Sequence, residues 1–163
     1  MRILVLGVGN IFLTDEAIGV RIVEALEQRY ILPDYVEILD GGTAGMELLG
    51  DMANRDHLII ADAIVSKKNA PGTMMILRDE EVPALFTNKI SPHQLGLADV
   101  LSALRFTGEF PKKLTLVGVI PESLEPHIGL TPTVEAMIEP ALEQVLAVLR
   151  ESGVEAIPRA IHD

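Results

Sequence analysis

Apolar and polar positions fall into alternating blocks along this chain. Arg2–Val8 (RILVLGV) is a nearly unbroken apolar run with β-character, the pattern of a strand covered on both faces. Asp15–Tyr30 changes to helical spacing: Ile18, Ile22, Ala25, Leu26 and Arg29 recur every three or four residues, and Thr14 offers an N-cap. Val36–Gly42 (VEILDGG) predicts a second strand running into a glycine turn. Ala44–Asn54 predicts a short helix through Met46, Leu49 and Met52. His57–Val65 (HLIIADAIV) is a third strand whose apolar run is broken by Asp62.

The second half continues the alternation. Thr73–Arg78 predicts a fourth strand. The Lys67–Gly72 turn before it is too short for a helical crossover, which points to a strand antiparallel to its predecessor. Asp79–Asn88 and the following ISPHQLG stretch read as mostly irregular surface. Gln94–Phe106 is helical, Lys112–Glu122 a fifth strand, and Thr133–Ser152 a long helix that Pro140 should kink. Ala156–Asp163 reads as a frayed tail, leaving a single α/β domain over residues 1–155. The expected architecture is a three-layer α/β/α sandwich around a mostly parallel sheet. Ligands of such sheets gather beyond the carboxyl ends of the strands. That edge should collect Asp15, Glu16, Asp40, Asp62, His93 and Glu122.

Composition narrows the guests. The chain has 163 residues, 48% of them apolar, enough for a sizeable core. Its formal net charge is -11, from 24 acidic against 13 basic residues, which argues against nucleic acid or an anionic membrane as partner. A cation, or a basic protein surface, is the more natural guest. The absence of cysteine excludes disulfides, thiolate metal sites and a cysteine nucleophile, and it suits a reducing cytosol. Met1-Arg2 followed by ILVLGVGNIFL imitates a signal peptide, but Thr14-Asp15-Glu16 follows with no small-x-small cleavage site. No run reaches the ~18 uncharged apolar residues of a membrane helix. The expectation is a soluble, cytoplasmic protein.

The glycines Gly7 and Gly9 begin like a dinucleotide fingerprint, but bulky Phe12 stands where the third glycine belongs, and Asp15 and Glu16 would repel a phosphate at the helix start. A cation site fits this edge better. Glu16, Asp62 and His93 form a half-shell for a borderline divalent ion such as Zn, Ni, Mn or Fe(II), with open positions left over. Taken singly, Glu16 also reads as a first-turn helix acid and His93 as an exposed loop histidine. Asp62 has the strongest individual claim, because a carboxylate closing an apolar strand should be buried and therefore paired or metal-bound. His57 falls at the opposite edge of the sheet, His127 in a surface loop and His162 in the tail. Neither a G-x-S-x-G elbow, an HExxH helix nor a phosphate-binding glycine–lysine loop is present.

Taken together, GVGNIFLTDEAIG (Gly7–Gly19), DGGTAG (Asp40–Gly45), IIADAI (Ile59–Ile64), SPHQLG (Ser91–Gly96) and GVIPE (Gly118–Glu122) resemble the hydrogenase maturation endopeptidases, in order and over nearly the whole chain. The resemblance implies a five-stranded twisted sheet between helices, with one strand antiparallel. It implies a protease that removes the C-terminal extension of the [NiFe]-hydrogenase large-subunit precursor once nickel has been inserted. The family's metal-binding positions carry over onto Glu16, Asp62 and His93, with glutamate at 16 where many relatives have aspartate. Asp40 in the DGGT turn becomes a further functional candidate. The resemblance also implies a monomer, a nickel-loaded precursor as partner, and nickel supplied by that precursor, with other divalent cations able to occupy the site in vitro. Either the metal serves only to recognise the substrate, or it also acts as a Lewis acid or activates water. The alternative to a protease is a non-catalytic nickel-binding chaperone of hydrogenase assembly.

Overall fold

A computed structural model of the chain describes residues 1–88 and 91–160. Five strands form the central sheet: β1 (Ile3–Val8), β3 (Val36–Gly42), β4 (His57–Ala63), β5 (Met74–Arg78) and β6 (Lys113–Val119). Their order is β3-β1-β4-β6-β5, and all neighbours run parallel except β5, which pairs antiparallel with β6 at the edge. The ten residues 64–73 between β4 and β5 are too few for a helical crossover, so β5 runs back against the direction of β4 and takes its place beside β6.

Every residue of β1 and of β4 is buried, because helices cover both faces. Successive side chains point to opposite faces. Ile3 and Val5 therefore enter one core with α1 (Ile18–Arg29) and α6 (Ile138–Glu151), while Leu4, Leu6 and Val8 enter the other with the short α2 (Leu49–Met52), α3 (Glu81–Thr87) and α4 (Pro92–Thr107). This is the three-layer sandwich the alternation predicts. Among the described residues, no helix is long and apolar enough to cross a membrane.

Several local expectations change. Glu81–Thr87, expected to be irregular, is the helix α3; Val82 and Phe86, four residues apart on one face, are fully buried under α4. The long C-terminal helix does not kink at Pro140 but divides. A short α5 (Pro132–Glu135) begins with Thr131 as its N-cap, and α6 restarts at Ile138. Pro140 then sits in a first turn, where its missing N–H has no intrahelical partner to lose. Thr14 does not cap a helix: Thr14–Ala17 is a 3₁₀ turn ahead of α1, and the Thr14 hydroxyl donates to Glu125 O instead. The C-terminal segment, expected to fray, is tied in part. Tyr30–Ile31 (β2) pairs antiparallel with Ile157–Pro158 (β7), and Arg159 N donates to Arg29 O. Residues 161–163 of that predicted tail lie outside the described residues.

Gly19 explains the failed dinucleotide fingerprint. A Cβ at Gly19 would collide with Ala61 O and Val8 O, and one at Gly7 would lie 2.5 Å from Gly19 O. The close helix-on-strand approach is therefore supplied by Gly7 against Gly19, in the first turn of α1. Phe12 is released from that duty and lies 59% exposed.

Candidate metal centre

Three chain segments meet at the carboxyl edge of β1 and β4. The first leaves β1 through Gly9, whose φ of +133° is open to glycine and whose missing Cβ lets the chain pass against Glu16 O. The 3₁₀ turn then presents Asp15 and Glu16 in opposite directions. Asp15 points inward and is fully buried. Its carboxylate accepts from Glu122 N (2.9 Å), Ser123 N (3.0 Å), Thr131 N (2.8 Å) and the Thr131 hydroxyl. The residue thus fastens the loop after β6 to the turn that bears Glu16. Glu16 points into the cleft, where one oxygen accepts from Asn10 N at 3.2 Å.

The second segment is the end of β4. Asp62 is wholly inaccessible, as a carboxylate in an apolar strand should be, and its Oδ1 accepts from Ala63 N at 2.8 Å. The third is the start of α4. Ser91 takes the N-cap position and Pro92 follows, so the helix begins two residues earlier than Gln94. His93 consequently lies in the first helical turn and is 4% exposed, in place of the loop position the Ser-Pro-His sequence suggests.

The imidazole of His93 stands between the two carboxylates. Nε2 lies 3.1 Å from Asp62 Oδ1 and 3.2 Å from Oδ2, while Nδ1 lies 3.2 Å from Glu16 Oε1 and 2.7 Å from Ser91 Oγ. Burial works against a charged imidazole here, but the hydrogen bonds and charges of Asp62 and Glu16 outweigh it and hold the His93 pKa up at about 9. Burial pushes the Asp62 carboxyl up, against hydrogen bonds from His93 and Gln94 that favour its charged form. At neutral pH the Asp62–His93 contact therefore retains a proton.

These groups sit at the floor and wall of a cleft of about 480 Å³, whose lining includes Glu16, His93 and Gln94 with the apolar side chains of Val65, Pro92 and Leu124. Asp62 lies just beneath. Asp40 does not line it: its side chain is exposed and accepts from Gly42 N at 2.9 Å, at the end of β3. Among the described residues, no three His, Asp or Glu side chains already converge as a cation cage. The donor set nevertheless suits a borderline divalent ion, with two anionic oxygens and one imidazole in mutual contact. To accept an ion, the site must give up the proton that now lies between them.

Two residues escape the sequence reading. Gln94 is buried and donates to Asp62 Oδ2, and Asp15 is a structural anchor facing away from the cleft. Neither has a local signature, since their partners lie 32 and more than 100 residues away.

The HycI hydrogenase maturation protease family matches residues 20–148, a span that includes Asp62 and His93 and begins just after Glu16. The hydrogenase 2 maturation protease of Escherichia coli (strain K12) is 98% identical over the full length of both chains. The hydrogenase expression/formation protein HupM of Azotobacter chroococcum mcd 1 is 48% identical over 97% of this chain and 76% of its own. The solved structure of the hydrogenase maturating endopeptidase HybD from E. coli superimposes with a TM-score of 0.96 at 99% identity, over 98% of each chain. With its fold, its cleft and its sequence all of one kind, this chain belongs to the hydrogenase maturation protease family.

Proposed function

We propose that this protein is the endopeptidase that removes the C-terminal extension of a [NiFe]-hydrogenase large-subunit precursor after nickel insertion, and that Glu16, Asp62 and His93 recognise the nickel carried by the precursor. One observation carries the reading: a buried imidazole held cationic between two carboxylates, at the floor of a cleft open to solvent. Such a site is built for positive charge. In the free enzyme a proton supplies that charge, and a substrate-borne divalent ion supplies more of it.

The chain's own residues account for the selectivity. Asp62, fully buried, contributes a charge that water screens little, so its attraction for a cation is strong at short range. Glu16, partly exposed at the cleft, is the carboxylate that an incoming segment meets first. The apolar walls at Val65, Pro92 and Leu124 offer burial to the peptide that adjoins the metal. A precursor without nickel lacks the contact that places its extension in the cleft. With no thiolate among the donors, the free enzyme is a modest trap for nickel, so the ion arrives with the substrate. Membership of a protease family argues against a carrier that binds nickel and cleaves nothing.

The test pairs elemental analysis with mass-resolved cleavage. The purified enzyme should carry well under one metal ion per chain, cleave nickel-loaded precursor, and leave metal-free precursor intact. One tightly bound zinc per chain together with cleavage of the metal-free form would overturn the reading.

A further inference from the structure

His93 and Gln94 are consecutive residues in the first turn of α4, and both reach the same carboxylate. Gln94 is 4% exposed. Its amide nitrogen donates to Asp62 Oδ2 at 2.8 Å and to Ala63 O at 3.0 Å. The amide carries two N–H bonds, so a single group ties the carboxylate to the backbone of its own strand. On the other side Ala63 N donates to Oδ1 at 2.8 Å. Both oxygens are thus held by fixed donors, which prevents the carboxylate from turning about its last torsion. Its remaining open side faces His93 Nε2, which lies 3.1 and 3.2 Å from the two oxygens. Near-equal distances put the nitrogen close to the bisector of the carboxylate, the approach from which both oxygens can grip one cation.

The chemistry of the side chain matters as much as its reach. A lysine or arginine could hold Asp62 as firmly, but its charge would offset the carboxylate and repel a divalent ion. An ionised glutamate only accepts, and would repel Asp62. A neutral donor orients the carboxylate and leaves its charge for the guest. We propose that Gln94 is the positioning residue for Asp62: by holding Oδ2 opposite the Ala63 N–H on Oδ1, it keeps the carboxylate turned toward an incoming divalent cation without neutralising it. For the identity of the cation this rests on the nickel reading above; for the orientation of Asp62 it does not.

Gln94→Met retains length and apolar bulk and removes both N–H donors. In the metal-free enzyme, the proton-NMR signal of the His93 Nε2–H is expected to move or vanish in this variant, because its acceptor can now rotate. Titration with nickel ion alone should show affinity reduced roughly 10- to 100-fold, the usual cost of losing an outer partner of a metal ligand. KM for nickel-loaded precursor should rise in parallel, with kcat changed less. Should Gln94→Met not fold, Gln94→Asn, whose shorter arm cannot span to Asp62, carries the same measurements. A folded variant that loses thermal stability yet keeps the wild-type His93 signal and wild-type nickel affinity would reduce Gln94 to a packing residue and overturn the proposal. If wild-type enzyme takes up no nickel ion and cleaves metal-free precursor as readily as the nickel-loaded form, the nickel reading fails, while an altered His93 signal in the variant still upholds the orientation of Asp62.

Discussion

Strand β4 carries a buried histidine site at each end. At its start, His57 is 1% exposed, with Nδ1 2.7 Å from Ser152 Oγ and Nε2 2.8 Å from Thr115 Oγ1. At its far end, Asp62 meets His93, which is 4% exposed and has carboxylates on both sides. Burial alone drives both imidazoles toward neutrality. At His57, burial, with Lys113 nearby, lowers the pKa to about 4. At His93 the carboxylates reverse the outcome and lift it to about 9. The difference shows that burial alone does not fix a histidine's charge state. The partners do, by deciding whether the site asks for charge. Hydroxyls satisfy a neutral ring and finish its chemistry, whereas carboxylates leave an electrostatic demand that a cation can answer.

The largest effects should follow from breaking the charged end. His93→Ala, Asp62→Asn and Glu16→Gln are each expected to slow processing of nickel-loaded precursor by on the order of 100-fold or more, at least matching the cost of losing an outer metal partner. The corresponding change at the other end, His57→Ala, should leave processing within a factor of about two, because no contact links it to the cleft. Single-turnover cleavage, with circular dichroism as a check on folding, measures both arms. Normal processing by His93→Ala would remove the distinction between the two sites. Asp40→Asn belongs with the small effects, since asparagine can keep the hydrogen bond to Gly42 N and the side chain stands outside the cleft.

The neutral end should instead be felt in stability. His57→Ala leaves the Ser152 and Thr115 hydroxyls without their partner and opens space in a packed region, at a cost of about 1–3 kcal/mol. Chemical denaturation would register this as a lower midpoint with an unchanged slope. Asp15→Ala is expected to fall in the same range or beyond it, because two backbone amides after β6 and one at Thr131 lose their acceptor together. Unlike His57→Ala, it should also weaken processing, since the released loop carries Leu124 into the cleft wall.

How much of this contrast was legible in the sequence differs between its parts. The strands were, because a parallel strand buried on both faces is a run of apolar residues whatever its neighbours are. Asp62 was, because a carboxylate closing such a run has nowhere to go but inward. His93 was placed near the right edge but on a loop, since Ser-Pro ahead of it reads as a turn when the N-cap role of Ser91 goes unrecognised. Helix α3 was missed because only Val82 and Phe86 of its seven residues are buried. Asp15 and Gln94 were illegible in principle. Their roles lie in bonds to residues that only the sheet order brings near, and an aspartate that anchors a loop has the same letter as one that binds an ion.

A smaller effect sharpens the comparison through pH. Between its ordinary value of about 6.5 and its folded value of about 4, His57 binds more protons unfolded than folded. Its contribution to stability is present above pH 6.5 and is lost as pH falls toward 4. His93 does the reverse. Its contribution is full below 6.5 and is lost as pH rises through about 9 in the metal-free enzyme. Stability plotted against pH should therefore decline on both sides of neutrality, with His57→Gln flattening the acid limb and His93→Gln the alkaline one. If both variants altered the same limb, the opposite states assigned to the two rings would be wrong.

The smallest expected effect is none at all, and it concerns an imitation. Ser152 Oγ at 2.7 Å from a histidine nitrogen has the distance of a nucleophile–base pair, and Ser152 borders a surface depression with Glu151 and Lys113. Three features deny it that role. A general base works best with a pKa near the operating pH, and a ring held near 4 draws the serine proton only feebly. The far nitrogen meets the Thr115 hydroxyl, where a triad would set a carboxylate to stabilise the imidazolium. Ser152 also closes the C-terminus of α6, and its hydroxyl answers a ring that would otherwise be buried with an unmet nitrogen. A serine-directed fluorophosphonate should accordingly leave Ser152 unlabelled and precursor processing unchanged, as read by intact mass and by the cleavage assay. Stoichiometric labelling of Ser152 would mean that the hydroxyl-bound histidine is reactive after all, and the contrast between the two ends of β4 would have to be drawn on other grounds.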